Sequence, residues 1–446
     1  MPRKVVIIGS GPTGLGAAWR LEELNHRSYK LFEKQPYPGG LATSFRDGKG
    51  FTWDVGGHVL FSKYEYFDRL MDNILKDGWF FHQRDSWVWM KNRFIPYPFQ
   101  HNIDYLPEED RQKCLAGLRE AAQPKTIPQN YREWIAATFG QGIAELFLFP
   151  YNYKVWAYLP EKMSFSWTGE RVAPPRADGA TGDIRGDAAG TFWGANDTFR
   201  YPIRGGTGEI WKRLLSRLDG RKVFLNSPVA GIDTTKKEIR VNGIAEPYDV
   251  LISTLPLDAF FTLSDVRDLG AGAELMHSSV HVFGIGLRGT LPPALEKKCW
   301  IYFPEQDCPF YRATVFSNYS PFNVPDGKNF WSLLLEVSES PDKPVNRRTI
   351  REAVVQGALD TNLIASRREI VDCWQHVAPY GYPTPSLGRD QGLGVLRTLE
   401  ERGVYSRGRF GAWKYEVGNM DHSFMQGVEA VNRILLGEEE KTLTLG

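Results

Sequence analysis

Cysteine is scarce in this chain, 4 residues in 446, at positions 114, 299, 308 and 373. None forms a CxxC pair and the spacing fits no zinc pattern, which excludes a disulfide scaffold and a metal ribbon. Free thiols in a reducing compartment are expected. An excess of charge of either sign is missing as well: 54 Lys and Arg stand against 53 Asp and Glu. That balance excludes binding of nucleic acid through a general basic surface. Long apolar runs are also absent. No stretch approaches the roughly 18 apolar residues that read as a membrane span. The run behind Met1-Pro2-Arg3-Lys4 is only Val5 to Ile8, too short for a signal peptide core. A cytoplasmic protein is expected, with no membrane or nucleic-acid partner and with the sequons at Asn196 and Asn318 unused.

Aromatics, by contrast, are abundant: 14 Trp, 19 Tyr and 26 Phe make 13% of the chain. Such an excess fills large cores or lines a site for planar ligands, and composition does not choose between them. The length suggests about three domains at ~150 residues each, ample for a core without staples.

Val5–Ile8 reads as a buried strand entering a glycine turn, followed by an amphipathic helix to about Asn25 and a second strand, Tyr29–Phe32. Helical periodicity marks 108–122 and the segment holding Ile143, Leu146 and Phe147. Residues 166–208, rich in Gly, Pro, Asp and Thr, read as long functional loops. Strands are expected at 223–225, 238–241, 250–253, 280–287, 300–303, 313–316 and 330–337. A final helix covers 423–436, and the polar tail 437–446 is expected to be mobile.

Gly9-Ser10-Gly11-Pro12-Thr13-Gly14 is a GxGxxG run between strand and helix. Its glycines let backbone amides approach a pyrophosphate at the helix N-terminus. Glu33 closes the second strand, where an acid can hold ribose hydroxyls. Two further glycine pairs, Gly39-Gly40 before Leu41 and Gly56-Gly57 before His58, suit an extended cofactor better than a nicotinamide. The segment from Arg409 through Gly418-Asn419-Met420 to Ser423 offers a second helix N-terminus and an arginine. FAD held by both ends of the chain is the reading.

At these and other motifs the chain resembles the UDP-galactopyranose mutases, in particular their eukaryotic-type branch. The likeness runs through Asp54–Phe61 (DVGGHVLF), Pro96–Asn102 (PYPFQHN), Pro150–Ala157 (PYNYKVWA), Gly169–Ala173 (GERVA), Cys299–Ser320 and Ser406–Phe424. The resemblance implies an α/β fold: a Rossmann-like FAD-binding domain from segments 1–90, 209–265 and 371–446, a helical substrate domain with mobile flaps at 91–208, and an antiparallel β-sheet domain at 266–370. It implies interconversion of UDP-galactopyranose and UDP-galactofuranose, with N5 of reduced FAD attacking the anomeric carbon and NAD(P)H as external reductant. By position, Arg171 and Arg312 match diphosphate-binding arginines, and Tyr302, Tyr382 and Tyr415 match tyrosines that serve the same diphosphate. The carbonyl of His58 is implied to influence the N5 proton. Phe61, Asn196 and Trp300 match positions around the sugar, with Asn419 also at the substrate. Arg84 and Ser86 match positions near the flavin ring, and Val229 a cofactor contact. Tyr97, Phe99, Gln100, Phe147, Tyr151, Asn152 and Trp156 match a uridine pocket.

The sequence departs from the family pattern at Met420 (often Gln), Lys63 (often His), Trp87 (Tyr) and in a short loop between Pro325 and Trp331, which leaves flavin tuning and oligomeric state open. A mutase for another nucleotide sugar, or an FAD-dependent amine oxidase or desaturase, remains an alternative. The latter would need a substrate tunnel rather than two arginines and three tyrosines for a diphosphate. A catalytically dead FAD-containing binding protein is disfavoured by the intact set.

Overall fold

A computed structural model of the chain describes residues 2–122, 127–173, 175, 197–270 and 274–444. Its nucleotide end is a five-stranded sheet in the order Val404–Ser406, Val250–Ser253, Val5–Ile8, Tyr29–Phe32, Val223–Phe224, with every neighbouring pair parallel. Runs such as VVII and VLIS form strands here because β-branched residues suit a sheet buried on both faces. The helices Pro12–Glu23 and Met420–Leu436 pack on one another beside this sheet. Their backbones touch: a Cβ on Gly16 would lie 2.4 Å from the Phe424 carbonyl oxygen, and one on Gly427 would lie 2.0 Å from that of Thr13.

A second sheet has seven strands in the order Ile370–Pro383, His277–Arg288, Phe330–Glu339, Arg312–Val315, Trp300–Tyr302, Ser86–Met90, Arg93–Pro96. All its pairs are antiparallel except Trp300–Tyr302 with Ser86–Met90. Side chains alternate across a strand. Ile301, Phe303, Leu333 and Leu335 therefore enter one core under the helix Ile350–Asp360. Trp300, Tyr302 and Leu334 enter another with the helices Glu108–Ala121, Tyr131–Ile143 and Phe149–Trp156.

Several expectations are corrected. The stretch 166–208 is not loop throughout, because Thr198–Pro202 pairs with Trp79–Gln83. The strands Trp79–Gln83, Ser86–Met90, Arg93–Pro96 and the 14-residue Ile370–Pro383 were not expected at all. Ser86–Met90 and Ile370–Pro383 belong to the seven-stranded sheet, although they lie mostly in segments assigned to the FAD domain. The tail up to Thr444 is also held. Glu440 pairs with Arg407 at 2.6 Å and with Arg433 at 3.2 Å, Thr442 donates to Glu429, and Leu443 is buried. Charged residues here meet buried partners, which a polar composition does not reveal.

Candidate functional site

The glycine turn after the first strand is built for close approach. Gly9 has φ +97°, and a Cβ on Gly14 would lie 1.9 Å from the Gly9 carbonyl oxygen. Gly40, at φ +54°, faces Gly11 across the turn, so that a Cβ on Gly40 would sit 3.4 Å from the Gly11 Cα. The helix that follows starts at Pro12 with Gly11 as its N-cap, and Met420–Leu436 starts with Asn419. No side chain caps either helix. The first-turn amides of both therefore remain donors for an anion. Thr13 is buried against Gly408, whose Cβ would fall 2.4 Å from the Thr13 Oγ1. Glu33 is buried and accepts from the Ser10 amide at 2.8 Å, the Ser10 hydroxyl at 2.9 Å and the Gln35 amide at 2.8 Å. It thus shapes the turn as well as closing the strand. Leu41 and Val229 pack partly buried on one core cluster, Ser423 is buried in the last helix, and Gly418 lies against Arg409.

The second glycine pair forms a tight turn next to the seven-stranded sheet. Gly56 has φ +106°, and the His58 amide donates back to the Gly56 carbonyl at 2.8 Å. A Cβ on Gly57 would lie 2.4 Å from Thr314 Oγ1 and 2.8 Å from Trp300 Nε1. His58 Nδ1, Trp300 Nε1 and Thr314 Oγ1 are all buried without a hydrogen-bond partner among the described residues. Buried polar atoms of this kind call for a partner, and three around one turn mark a place where a ligand sits or the turn moves. Burial pushes the His58 imidazolium down to about 4, with Glu336 opposing and Arg312 and Arg409 adding to the shift. His58 is therefore neutral at pH 7.

Three arginines converge beside this turn. Arg312 donates from Nε and Nη2 to the two carboxylate oxygens of Glu336, both at 2.8 Å. Arg171 donates to Asn419 Oδ1 at 3.1 Å and to the Glu416 carbonyl at 2.6 Å, with its guanidinium 5.3 Å from the Tyr415 ring centre. Arg409 lies over Tyr382 at 5.1 Å and Tyr415 at 5.5 Å and bonds the carbonyls of Gly381 and Gly418. Burial, with Arg171 nearby, pushes the Arg409 guanidinium below its usual value, against the tyrosine hydroxyls of Tyr382 and Tyr415. Among the described residues, Arg312 is the one of these three that a carboxylate neutralises. The surplus positive potential suits a bound anion.

Two aromatic groups flank the arginines. Phe99 stacks on Phe147 at 4.7 Å, Phe147 on Tyr151 at 5.1 Å, and Tyr151 meets Tyr302 at 5.5 Å. Tyr97 lies 5.0 Å from Tyr302, with the Arg84 guanidinium 4.9 Å from the Tyr97 ring and Arg84 Nε donating to Ser86 Oγ at 3.0 Å. Burial raises the Tyr97 hydroxyl to about 12, so it stays a neutral donor. In the second group Trp156 meets Tyr415 at 4.8 Å and Tyr382 at 5.7 Å. The aromatic spacing of PYNYKVW thus divides within one helix. Tyr151 and Trp156 turn to the site, whereas Tyr153 donates to the Asp342 carbonyl and Lys154 is buried against backbone carbonyls of Glu305 and Cys308. Gln100 donates to the Ala173 carbonyl at 2.7 Å, Asn152 donates to that of Leu148 at 2.7 Å, and Phe61 packs partly buried on the same core. Asn196 and most of the second expected flap lie outside the described residues.

Residues 7–74 match the NAD(P)-binding Rossmann-like domain model. A crystal structure of reduced UDP-galactopyranose mutase superposes with a TM-score of 0.95 at 48% identity, over 99% of this chain and 96% of that one. The chain belongs to the UDP-galactopyranose mutase family. A putative protoporphyrinogen oxidase from Exiguobacterium sp. 255-15 has a TM-score of 0.75 at 17% identity over 98% of this chain and 100% of that one. At that identity the likeness shows the fold alone, an α/β architecture shared with oxidases. Zeta-carotene desaturase of Zea mays is 38% identical over 75 residues, and this covers only 17% of this chain and 13% of the desaturase. One buried residue beside this site was passed over in the sequence. Glu336 is a single buried carboxylate in the apolar strand FWSLLLEVSE. A buried acid in such a strand is a signal for a charged partner opposite.

Proposed function

We propose that this chain interconverts UDP-galactopyranose and UDP-galactofuranose in the cytoplasm, with FAD as cofactor and NAD(P)H as external reductant. The observation that carries the reading is the convergence of Arg171, Arg312 and Arg409 with Tyr302, Tyr382 and Tyr415 beside the Gly56-Gly57-His58 turn. The residues present fit FAD: uncapped helix N-termini at Gly11 and Asn419 for its pyrophosphate, glycines at 11 and 40 for backbone approach, and unpartnered polar atoms around Gly57. Reduced flavin supplies a nucleophilic nitrogen for the anomeric carbon, a step that acid–base groups alone do not provide while that carbon remains bonded to phosphate.

The chain's own residues then position and hold charge. Arg171 and Arg312 bind the diphosphate through charge-assisted hydrogen bonds, each contributing about 1.5–3 kcal/mol, and keep it in place as a leaving group. The tyrosine hydroxyls donate to the same oxygens. The Phe99–Phe147–Tyr151 stack receives the uracil ring, with Gln100 and Asn152 as amide readers of its edge. Neutral His58 presents its carbonyl toward the flavin without adding a positive charge there.

Incubation with UDP-galactofuranose, with and without dithionite, followed by chromatography of the nucleotide sugars, tests the reading. UDP-galactopyranose is expected only in the reduced sample. Absence of conversion together with peroxide release from an amine would overturn it, and a panel of other nucleoside diphosphate sugars determines the substrate range.

A further inference from the structure

Glu336 joins two parts of the site that the mutase reading keeps apart. It sits in register with Arg312 on the neighbouring strand, and Arg312 in turn with Tyr302, so the three form one row across the sheet. Opposite-charge neighbours in such a row reinforce each other's placement. The Glu336 carboxylate receives four donors. Oε1 accepts Arg312 Nε at 2.8 Å and the Gly57 amide at 3.1 Å, while Oε2 accepts Arg312 Nη2 at 2.8 Å and the Tyr311 hydroxyl at 2.7 Å. The residue is 2% exposed, so bulk solvent does not reach it. A second carboxylate is not within reach of Gly57 or Arg312 among the described residues.

We propose that Glu336 is a positioning residue that transmits occupancy of the diphosphate site to the flavin-facing turn Gly56-Gly57-His58. The proposal rests on the reading that Arg312 binds the diphosphate and that the turn faces FAD. Arg312 now spends two of its donors on Glu336. A diphosphate arriving at Arg312 competes for that guanidinium and draws it away from the carboxylate. Oε1 is shared between Arg312 Nε and the Gly57 amide, so any loosening of the first bond changes the second. The turn is able to respond. Glycines occupy its first two positions, Gly56 holds a left-handed φ of +106°, and Thr314 Oγ1 and Trp300 Nε1 stand unpartnered where the Gly57 peptide would move. The substrate's phosphates would thereby set the His58 carbonyl only when there is a sugar to attack.

Glu336→Gln keeps the volume and one acceptor oxygen but cannot accept from all four donors. In the FAD-loaded full chain, the expected result is a wild-type flavin-to-protein ratio, UDP affinity within about tenfold of the wild type in either direction because Arg312 keeps its charge, and loss of the flavin difference spectrum that saturating UDP induces in the wild type. A difference spectrum of wild-type amplitude in the variant overturns the proposal. Should the variant fail to hold FAD, the wild type suffices: UDP, but not uridine, is expected to change amide hydrogen exchange in a peptide spanning 54–61. Equal responses to UDP and uridine overturn the coupling. Failure of UDP to bind the wild type sinks the diphosphate reading along with it, whereas binding without a flavin response sinks the coupling alone.

Discussion

The two arginines matched to the diphosphate have unlike surroundings, and their substitution separates binding from stability. Arg171→Ala and Arg312→Ala should each weaken UDP binding by about 10- to 150-fold, the equivalent of one charge-assisted hydrogen bond, measured by titration calorimetry. Only Arg312→Ala also strands a buried carboxylate, that of Glu336, whereas Arg171 leaves behind an amide and a backbone carbonyl. Urea unfolding should therefore show a loss of about 3–5 kcal/mol for Arg312→Ala and much less for Arg171→Ala. Equal losses would place Arg171 in a structural role. His58 makes a pH-dependent contribution. Its folded value of about 4 lies below the unfolded 6.5. The unfolded chain binds the extra proton between those limits, so the His58 contribution is complete above pH 6.5 and falls as pH drops toward 4, by at most about 3 kcal/mol. Asp54 acts in the opposite direction, because burial raises its carboxyl to about 6. The whole-protein profile is therefore flatter than either group alone. The difference between wild type and His58→Gln, followed by urea unfolding from pH 7.5 to 4, isolates the histidine and should turn against the wild type on acidification.

At the scale of elements, the contact between the first and last helices sets both amide-rich N-termini. A methyl group at Gly427 would meet the Thr13 carbonyl oxygen at 2.0 Å and the Ala17 amide at 2.8 Å, which helix backbones cannot relieve by a rotamer change. Gly427→Ala should cost at least about 1–3 kcal/mol and lower the FAD content, read from the 450 nm absorbance per chain. Gly220→Ala, where a Cβ meets nothing within 4 Å, should leave both unchanged. The strands Val5–Ile8 and Val250–Ser253 of the parallel sheet were legible in the sequence because a strand covered on both faces must be apolar throughout, as in VVII and VLIS, whereas the three-residue edge strand Val404–Ser406 was not. Nor was Ile370–Pro383. It lies at the sheet edge, half-buried along most of its length, and IVDCWQHVAPYGYP carries neither alternation nor an apolar run. The glycine turn and Glu33 were readable from spacing, since backbone approach demands glycine. Arg171, Arg312 and the three tyrosines were named by family resemblance, because residues far apart in sequence meet only in the folded chain. Glu336 escaped notice for the same reason: its meaning appears only once Arg312 is opposite it.

For the whole molecule, the segment 437–444 is part of the structure rather than an appendage. Arg407 is 1% exposed and depends on Glu400 and Glu440, while Glu429 receives the Lys441 and Thr442 amides. Glu440→Gln removes one of two carboxylates from a buried guanidinium. It should lower the thermal midpoint while Glu438→Gln, whose carboxylate bonds the exposed Asn432 amide, should not. Differential scanning calorimetry distinguishes them, and equal midpoints would mean that the tail adds nothing to stability.

The interleaved parallel sheet also bears on how the protein is made. Val5–Ile8 and its glycine turn leave the ribosome long before the edge strand Val404–Ser406 and the helix that packs on Pro12–Glu23. At about 5–20 residues per second, roughly 20–80 s separate the two. Throughout that interval a strongly apolar strand and the face of its helix await partners not yet synthesised. The nascent nucleotide end is thus expected to need protection, and slowing translation of the codons for residues 33–403 should reduce soluble yield more than slowing it after residue 436.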